Sequence, residues 1–292
     1  MKILILGGNG MVGSNLYFSL KDFHEVYTST RRPIVNRELA TISKNYCIKG
    51  VDASNLDQID LLIDQLSPLD VIINCIGVTK QNSNTSIQDS IYINSLFPHL
   101  LHKITLKKEI RLIHFSTDCV FSGRNGNYSD TSVSDAEDIY GRTKFLGELQ
   151  GPRAITLRKS TIGLELESSH GLIEWWLRQK GQIKGFNAAI YTGVITSELA
   201  NIVLMLLQDY PELEGLYNVS SEPISKFKLL TELQSALNRK DIEILKDESF
   251  ICDRSLDGSE FKKVTSYVAP SWNEMIHRLS KEIKLREKLK NV

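Results

Sequence analysis

Apolar positions along this chain fall into short solid runs, separated by longer stretches where apolar residues recur with a helical period. The first run, "KILIL" (2–6), predicts a strand, and the glycines after it lead into a helix near 11–21. "EVYTST" (25–30) predicts a second strand and "NYCIKG" (45–50) a third, followed by a helix near 55–66. "DVIINCIG" (70–77) is apolar almost throughout, as in a strand buried on both faces. A long helix over 87–107, a fifth strand at "RLIHFS" (111–116), a helix around 138–148 and a sixth strand at "RAITLR" (153–158) continue the alternation. This spacing predicts an α/β fold with a doubly wound parallel sheet. Past residue 160 the pattern loosens into helical stretches such as "SELANIVLMLL", "ISKFKLLTELQSAL" and "SWNEMIHRLSKEI", mixed with short strand candidates. The expected division is a domain over 1–160, completed by part of 187–218, and a smaller α/β domain formed mainly by 161–292.

Charge narrows the partners. The 292 residues carry 35 Lys plus Arg against 35 Asp plus Glu, which gives no electrostatic case for nucleic acid or a membrane surface. No apolar run approaches the roughly 18–20 residues of a membrane span. The start "MKILILGG" meets glycine too soon for a secretory leader, so a cytoplasmic location is expected. Cys47, Cys75, Cys119 and Cys252 are scattered and read as reduced, buried thiols. His99 and His102 share a helix face, but no cysteine or carboxylate nearby joins them, and no metal site is expected.

"LILGGNGMVGSNL" places Gly7, Gly10 and Gly13 at the first strand–helix junction. There a turn needs positive φ, backbone must approach a pyrophosphate, and a helix N-terminus faces phosphate charge. A tight turn without a ligand would use the same glycines, yet the position favours a Rossmann-type dinucleotide loop that includes Met11 and Val12. The second strand runs into Arg31 and Arg32, with no acid to hold a ribose 2′-hydroxyl. Arginines suit a 2′-phosphate, so NADPH is expected ahead of NADH; solvated surface arginines are the alternative. By topology, Asp52 falls near the adenine, and Cys75, Ile76 and Gly77 fall where the chain passes the nicotinamide half.

In "DIYGRTKFLGE" (138–148), Tyr140 and Lys144 stand four apart and share a helix face. A phenol beside an ammonium can donate a proton while the cation stabilises its base form. A half-buried ring beside a solvated amine has the same spacing, and the pair alone does not decide.

The wider set does more. GxxGxxG at 7–13, "STDCVFSG" at 116–123, "NYSD" at 127–130, "YGRTKFLGE" at 140–148 and "LRKS" at 157–160 resemble the extended short-chain dehydrogenase/reductase superfamily. With "GVITSELA" at 193–200 and "CDRSLDGSEFK" at 252–262, the chain is similar to its dTDP-4-dehydrorhamnose reductase family of nucleotide-sugar ketoreductases. The resemblance implies that Tyr140 protonates the reduced ketone, Lys144 holds the nicotinamide ribose and Thr117 hydrogen-bonds the substrate carbonyl. It implies that Asn94 fixes a water and the helix around the lysine. A hydride delivered to a carbonyl leaves an alkoxide that needs a placed proton donor. A phenol with a reference pKa of about 10 is expected to be tuned toward neutrality by the adjacent cation. Reduction of a 4-keto nucleotide-activated deoxysugar for surface polysaccharide is the implied role, and a homodimer is compatible with it.

Two positions depart from the family. Cys119 follows Thr117-Asp118 where a tyrosine is usual, and Thr161 follows the Arg-x-Ser where a tryptophan is common. The substrate surface around Asp118 and Cys119 therefore differs, which puts dTDP-4-dehydrorhamnose itself in question. Trp175 and Trp176 are candidates to replace the lost aromatic surface, but neighbours on a helix point about 100° apart. Trp176 is the one expected to face the pocket, unless both pack inside. Arg254 is expected near the substrate diphosphate, with a surface salt bridge as the alternative. A 4,6-dehydratase would need an Asp-Glu pair after the threonine, and Cys119 cannot serve as that base. An epimerase, using the same Thr-Tyr-Lys set, stays open. So does a non-catalytic NADP-binding role, since the family also resembles a regulatory partner of methionine adenosyltransferase.

Overall fold

The computed structural model describes residues 1–32, 46–80, 86–166 and 170–290. The chain runs through β1 (Lys2–Leu6), β2 (Glu25–Thr30), β3 (Cys47–Lys49), β4 (Val71–Asn74), β5 (Arg111–Thr117), β6 (Ala154–Lys159) and β7 (Thr161–Ile162). It continues through β8 (Gly181–Phe186), β9 (Ala189–Tyr191), β10 (Val194–Ile195), β11 (Gly215–Asn218), β12 (Ile224–Ser225), β13 (Ile242–Asp247) and β14 (Cys252–Asp253). Seven of these form a parallel sheet in the order β11-β6-β5-β4-β1-β2-β3. The order reverses between β1 and β4, and a doubly wound sheet opens its ligand crevice at that switch point, beyond the carboxyl ends of the strands.

Solid apolar strands give two cores. Ile3, Ile5, Ile73, Ile113 and Leu157 pack on one face, and Leu4, Leu6, Ile72 and Leu112 on the other. The first core continues without a break into the later part of the chain through Ile183, Tyr191, Leu229 and Leu233. Beyond residue 160 the chain adds β11 to the sheet and packs much of the rest on one of its faces. The last helix, Trp272–Lys290, joins that core through Met275, Ile276, Leu279 and Ile283.

Three boundaries depart from the sequence pattern. β4 stops at Asn74 although the apolar run continues to residue 77. The Asn74 carboxamide accepts from Ile76 N–H at 3.1 Å and meets His114 Nδ1 at 3.2 Å, which turns the chain off the sheet. The third strand is confined to Cys47–Lys49, and residue 45 lies outside the described residues. The helix expected over 87–107 is continuous but changes winding. A π-helical turn, Tyr92–Leu96, joins Ile87–Ile91 to Phe97–Lys107. Such turns widen a helix locally and often mark functional positions.

The π turn has a close neighbour. A Cβ on Gly147, which ends the Ile139–Leu146 helix, would lie 1.8 Å from Asn94 O. Gly147→Ala is expected to force the two helices apart and cost about 1–3 kcal/mol. Urea unfolding checks this, and an unchanged midpoint would contradict the close approach.

Candidate functional site

The helix Ile139–Leu146 is started by Asp138, whose Oδ1 accepts from Gly141 N–H at 2.9 Å while Oδ2 meets Lys80 Nζ at 2.5 Å. Gly141 leaves no room for a side chain, because a Cβ there would lie 2.2 Å from Cys119 O. The first helical turn is therefore pressed onto the short turn Asp118–Val120 that follows β5. That contact sets Tyr140 close enough to Thr117 for the threonine hydroxyl to act on the phenol. The Thr117 hydroxyl also donates to Asp118 Oδ1 at 2.9 Å and accepts from Cys119 N–H at 3.2 Å. One turn further along the helix, the buried Lys144 donates from Nζ to Phe115 O at 2.6 Å. The structure thus brings Thr117, Tyr140 and Lys144 together at the carboxyl end of β5.

Asn94 fixes this helix by direct contacts. Its Oδ1 accepts from Val78 N–H at 2.9 Å, and its Nδ2 donates to Val78 O at 2.9 Å and to Thr143 Oγ1 at 3.2 Å. Ser95 Oγ adds a bond to Thr143 O at 2.9 Å. His99 and His102 each donate to a backbone carbonyl, Leu146 O at 2.8 Å and Pro152 O at 2.9 Å. They act as braces in the fold.

The electrostatics correct one expectation. Burial pushes the Tyr140 phenol above its ordinary value, with Cys119, Asp118 and Asp138 acting the same way; only the Thr117 hydrogen bond opposes them. The ammonium of Lys144 is turned to the Phe115 carbonyl. Burial lowers Lys144 itself to about 8, and a second cation, Lys159, adds to the fall. Lys159 ends β6, opposite Thr117 in register, and burial lowers it to about 8 as well. Lys159 was not among the expected site residues, although a lysine closing an apolar strand within the "LRKS" match was a visible signal.

The glycine loop fits a dinucleotide. Gly7 has φ +87°, and a Cβ on Gly13 would lie 2.3 Å from Gly7 O. Gly10 caps the helix Met11–Leu20 without a side-chain hydrogen bond, and the first turn, with Met11 and Val12, has no acid. The helix N-terminus is thus open to an anion. Arg31 and Arg32 are exposed beyond β2. Asp52 is tied to Ser54 by two 2.9 Å bonds, and the Ser54 backbone bond holds its carboxyl below the ordinary value. Cys75, Ile76 and Gly77 line the switch point. Cys75 C lies 3.1 Å from a Cβ built on Gly7, and Asn94 Oδ1 lies 3.5 Å from one built on Gly77.

On the opposite side, Arg254 Nη1 donates to Cys119 Sγ at 3.7 Å and Nε to Phe121 O at 2.8 Å. No carboxylate pairs with it among the described residues. Asp118 is buried, while Cys119 is half-buried with its thiol pushed up to about 12 by burial. Trp176 is a correction. It is fully buried in the first core, with the Arg239 guanidinium 4.8 Å above its ring, so its side chain cannot line a pocket. Trp175 is the exposed member of the pair. A cavity of about 380 Å³ bordered by Asp130, Phe145, Arg158 and Leu216 contains none of the expected site residues.

Residues 1–229 match the family model described as the RmlD substrate binding domain. A dTDP-4-dehydrorhamnose reductase of Aggregatibacter actinomycetemcomitans is 25% identical over 236 residues, 76% of this chain and 74% of its own. Methionine adenosyltransferase 2 subunit beta of Danio rerio is 28% identical over 151 residues, 46% of each chain. Among solved structures, dTDP-4-dehydrorhamnose reductase from Bacillus anthracis in complex with NADP superposes with a TM-score of 0.78 at 21% identity, covering 96% of this chain and 99% of that one. The Rossmann-type architecture is common to both.

The two lysines give a pH signature. In the unfolded chain a lysine keeps its proton to about 10.4, whereas Lys144 and Lys159 release theirs near about 8 in the fold. From about pH 8 the unfolded chain binds more protons, so stability rises with pH. Above about 9 the trend is opposed, because Cys75 and Cys119 ionise when unfolded but keep their protons to about 12 when folded. The unfolding free energy measured in urea is expected to climb between pH 8 and 9, less steeply in Lys144→Met. Equal slopes in both proteins would contradict the assignment.

Proposed function

The chain belongs to the RmlD substrate-binding domain family, and on that premise we propose that it uses NADPH to reduce the 4-keto group of a nucleotide-activated deoxysugar. The observation that carries this reading is the convergence of Tyr140, Thr117 and Lys144 at the end of β5, across the switch point from the glycine loop. NADPH supplies the hydride when bound, with Gly7, Gly10 and Gly13 around its diphosphate and Arg31 and Arg32 toward its 2′-phosphate. Tyr140 then passes its phenolic proton to the ketone oxygen as that oxygen gains charge. The phenol is protonated at neutral pH and so holds the proton to give, while burial makes it a weaker acid than a free tyrosine. Thr117 turns its hydroxyl from Asp118 to the same oxygen. Lys144 has three N–H donors; one holds Phe115 O, and the others are left for ribose hydroxyls. The product would serve the assembly of surface polysaccharide.

A second reading follows from the likeness to methionine adenosyltransferase 2 subunit beta: an NADP-binding subunit without its own chemistry. The intact Thr117, Tyr140 and Lys144 set favours the enzyme.

Stopped-flow NADPH oxidation with a panel of 4-keto nucleotide sugars tests the roles. Tyr140→Phe is expected to slow the single turnover by about 10²–10⁴ while NADPH still binds, and Lys144→Met to lose both rate and affinity. If Tyr140→Phe kept more than about a tenth of the parent rate, another group would be the acid. Replacing Arg31 and Arg32 together by Ala should weaken NADPH by roughly tenfold or more, as one charge-assisted contact contributes about 1.5–3 kcal/mol, and leave NADH nearly unchanged. Equal losses for the two cofactors would remove the arginines from 2′-phosphate recognition.

A further inference from the structure

Two motifs that frame the site carry charges the mechanism above leaves unused: Glu148 closes "YGRTKFLGE" and Arg158 stands in "LRKS". They meet as a buried pair, with side chains 4% and 3% exposed. Arg158 Nε donates to Glu148 Oε1 and Nη2 to Oε2, both at 2.7 Å. Burying two charges gains little stability over an apolar contact of the same size. What a two-pronged guanidinium–carboxylate pair adds is a fixed distance and orientation. The neighbours of the pair show what it holds in place.

One branch reaches Thr117. Ser116 is the register partner of Arg158 across β5 and β6, and its hydroxyl donates to Glu148 Oε1 at 2.7 Å. Successive strand side chains point to opposite faces, so securing Ser116 on one face fixes the direction in which Thr117 leaves the other. Glu148 comes directly after the Gly147 that ends the helix of Tyr140 and Lys144. The strand end and that helix are thus joined behind the site. A second branch reaches Arg254. Arg158 Nη1 donates to Asp130 O at 3.0 Å, and its guanidinium lies 5.2 Å from the centre of the Phe121 ring. Phe121 is fully buried and stacked on Tyr128 at 4.1 Å, and its carbonyl accepts from Arg254 Nε at 2.8 Å. Beside it, Asp253 N–H donates to Gly123 O at 2.7 Å and Tyr128 N–H to Ser255 O at 2.9 Å. The segment of Arg254 therefore rests on the Phe121–Tyr128 stack, and the stack rests on Arg158.

We propose that Arg158, paired with Glu148, is a positioning residue that sets two parts of the site at once: Thr117 for the chemical step, through Ser116, and Arg254 for substrate binding, through Phe121. This rests on the nucleotide-sugar reading, with Thr117 at the ketone oxygen and Arg254, which pairs with no carboxylate among the described residues, at the substrate diphosphate. One guanidinium then keeps the two ends of the substrate site in register with each other and with the helix of the proton donor.

Single-turnover NADPH oxidation over a range of substrate concentrations separates the two branches. The probes are 4-keto-6-deoxyhexoses carried on dTDP, UDP and GDP. Ser116→Ala cuts the first branch and is expected to slow the saturated rate by roughly tenfold or more, the scale of a slightly misplaced catalytic group, with substrate affinity near the parent value. Phe121→Leu cuts the second and is expected to weaken substrate affinity by roughly tenfold, the scale of one charge-assisted contact, with the saturated rate near the parent value. Arg158→Lys keeps a charge opposite Glu148 but lacks the planar fork, and both effects are expected together. NADPH affinity, measured by fluorescence titration, should match the parent in all three, which also shows that each has folded. If Arg158→Lys does not fold, the two branch variants decide alone. A pair that only stabilised the fold would lower the urea midpoint and leave rate and affinity of the folded variants at parent values. That result, or rate and affinity falling together in both branch variants, overturns the positioning role alone. Reduction of none of the probes by the parent protein overturns the nucleotide-sugar reading, and this proposal with it.

Discussion

The carboxamide of Asn94 satisfies both backbone groups of Val78 and reaches the Thr143 hydroxyl, and the rest of the site depends on that clamp. Val78 belongs to the segment that leaves β4 at the switch point. Thr143 belongs to the helix of Tyr140 and Lys144. One fully buried side chain therefore sets the distance between the cofactor crevice and the proton donor. Each unpaired buried polar group costs about 1–3 kcal/mol, so the three contacts are obligatory once Asn94 is enclosed. The π turn delivers the residue to this point, and Gly147 allows the helix to come close enough to be held.

Electrostatics builds on this frame. Two lysines, two thiols, a phenol and Asp118 are crowded at the ends of β4, β5 and β6. Burial disfavours the charged form of the lysines, the thiols and the phenol, so the phenol and thiols keep their protons and the lysines hold theirs loosely. The same low polarity that raises Tyr140 makes every hydrogen bond to an oxygen gaining charge more effective. The phenol thus carries its proton into the reaction, and Lys144 and Lys159 are the groups that gain most from a negative partner.

Much of this was legible in the sequence for a simple reason: the informative residues are constrained by backbone geometry. Gly7, Gly10 and Gly13 announced a loop that only glycine can make, and "STDCVFSG" with "YGRTKFLGE" announced a strand end and the helix laid on it. The apolar runs gave the sheet because strands buried on both faces need no polar alternation. What stayed hidden depended on long-range packing. The early end of β4 comes from an Asn74–His114 contact across 40 residues. The inward turn of Trp176 depends on Arg239, and the place of Arg254 depends on Cys119, which is 135 residues away. The direction of the Tyr140 shift follows from burial, which residue spacing does not reveal.

The central claim is that this clamp sets Tyr140, Thr117 and Lys144 for reduction of a ketone by a bound nicotinamide. Deuterium transfer tests it most directly. The protein is mixed with NADPH deuterated at the transferable position and a panel of 4-keto nucleotide sugars, and the products are read by mass spectrometry and NMR. The account predicts one deuterium on C4 of the reduced sugar. Protein that binds NADPH and a nucleotide sugar yet places no deuterium on C4 of any of them would contradict it.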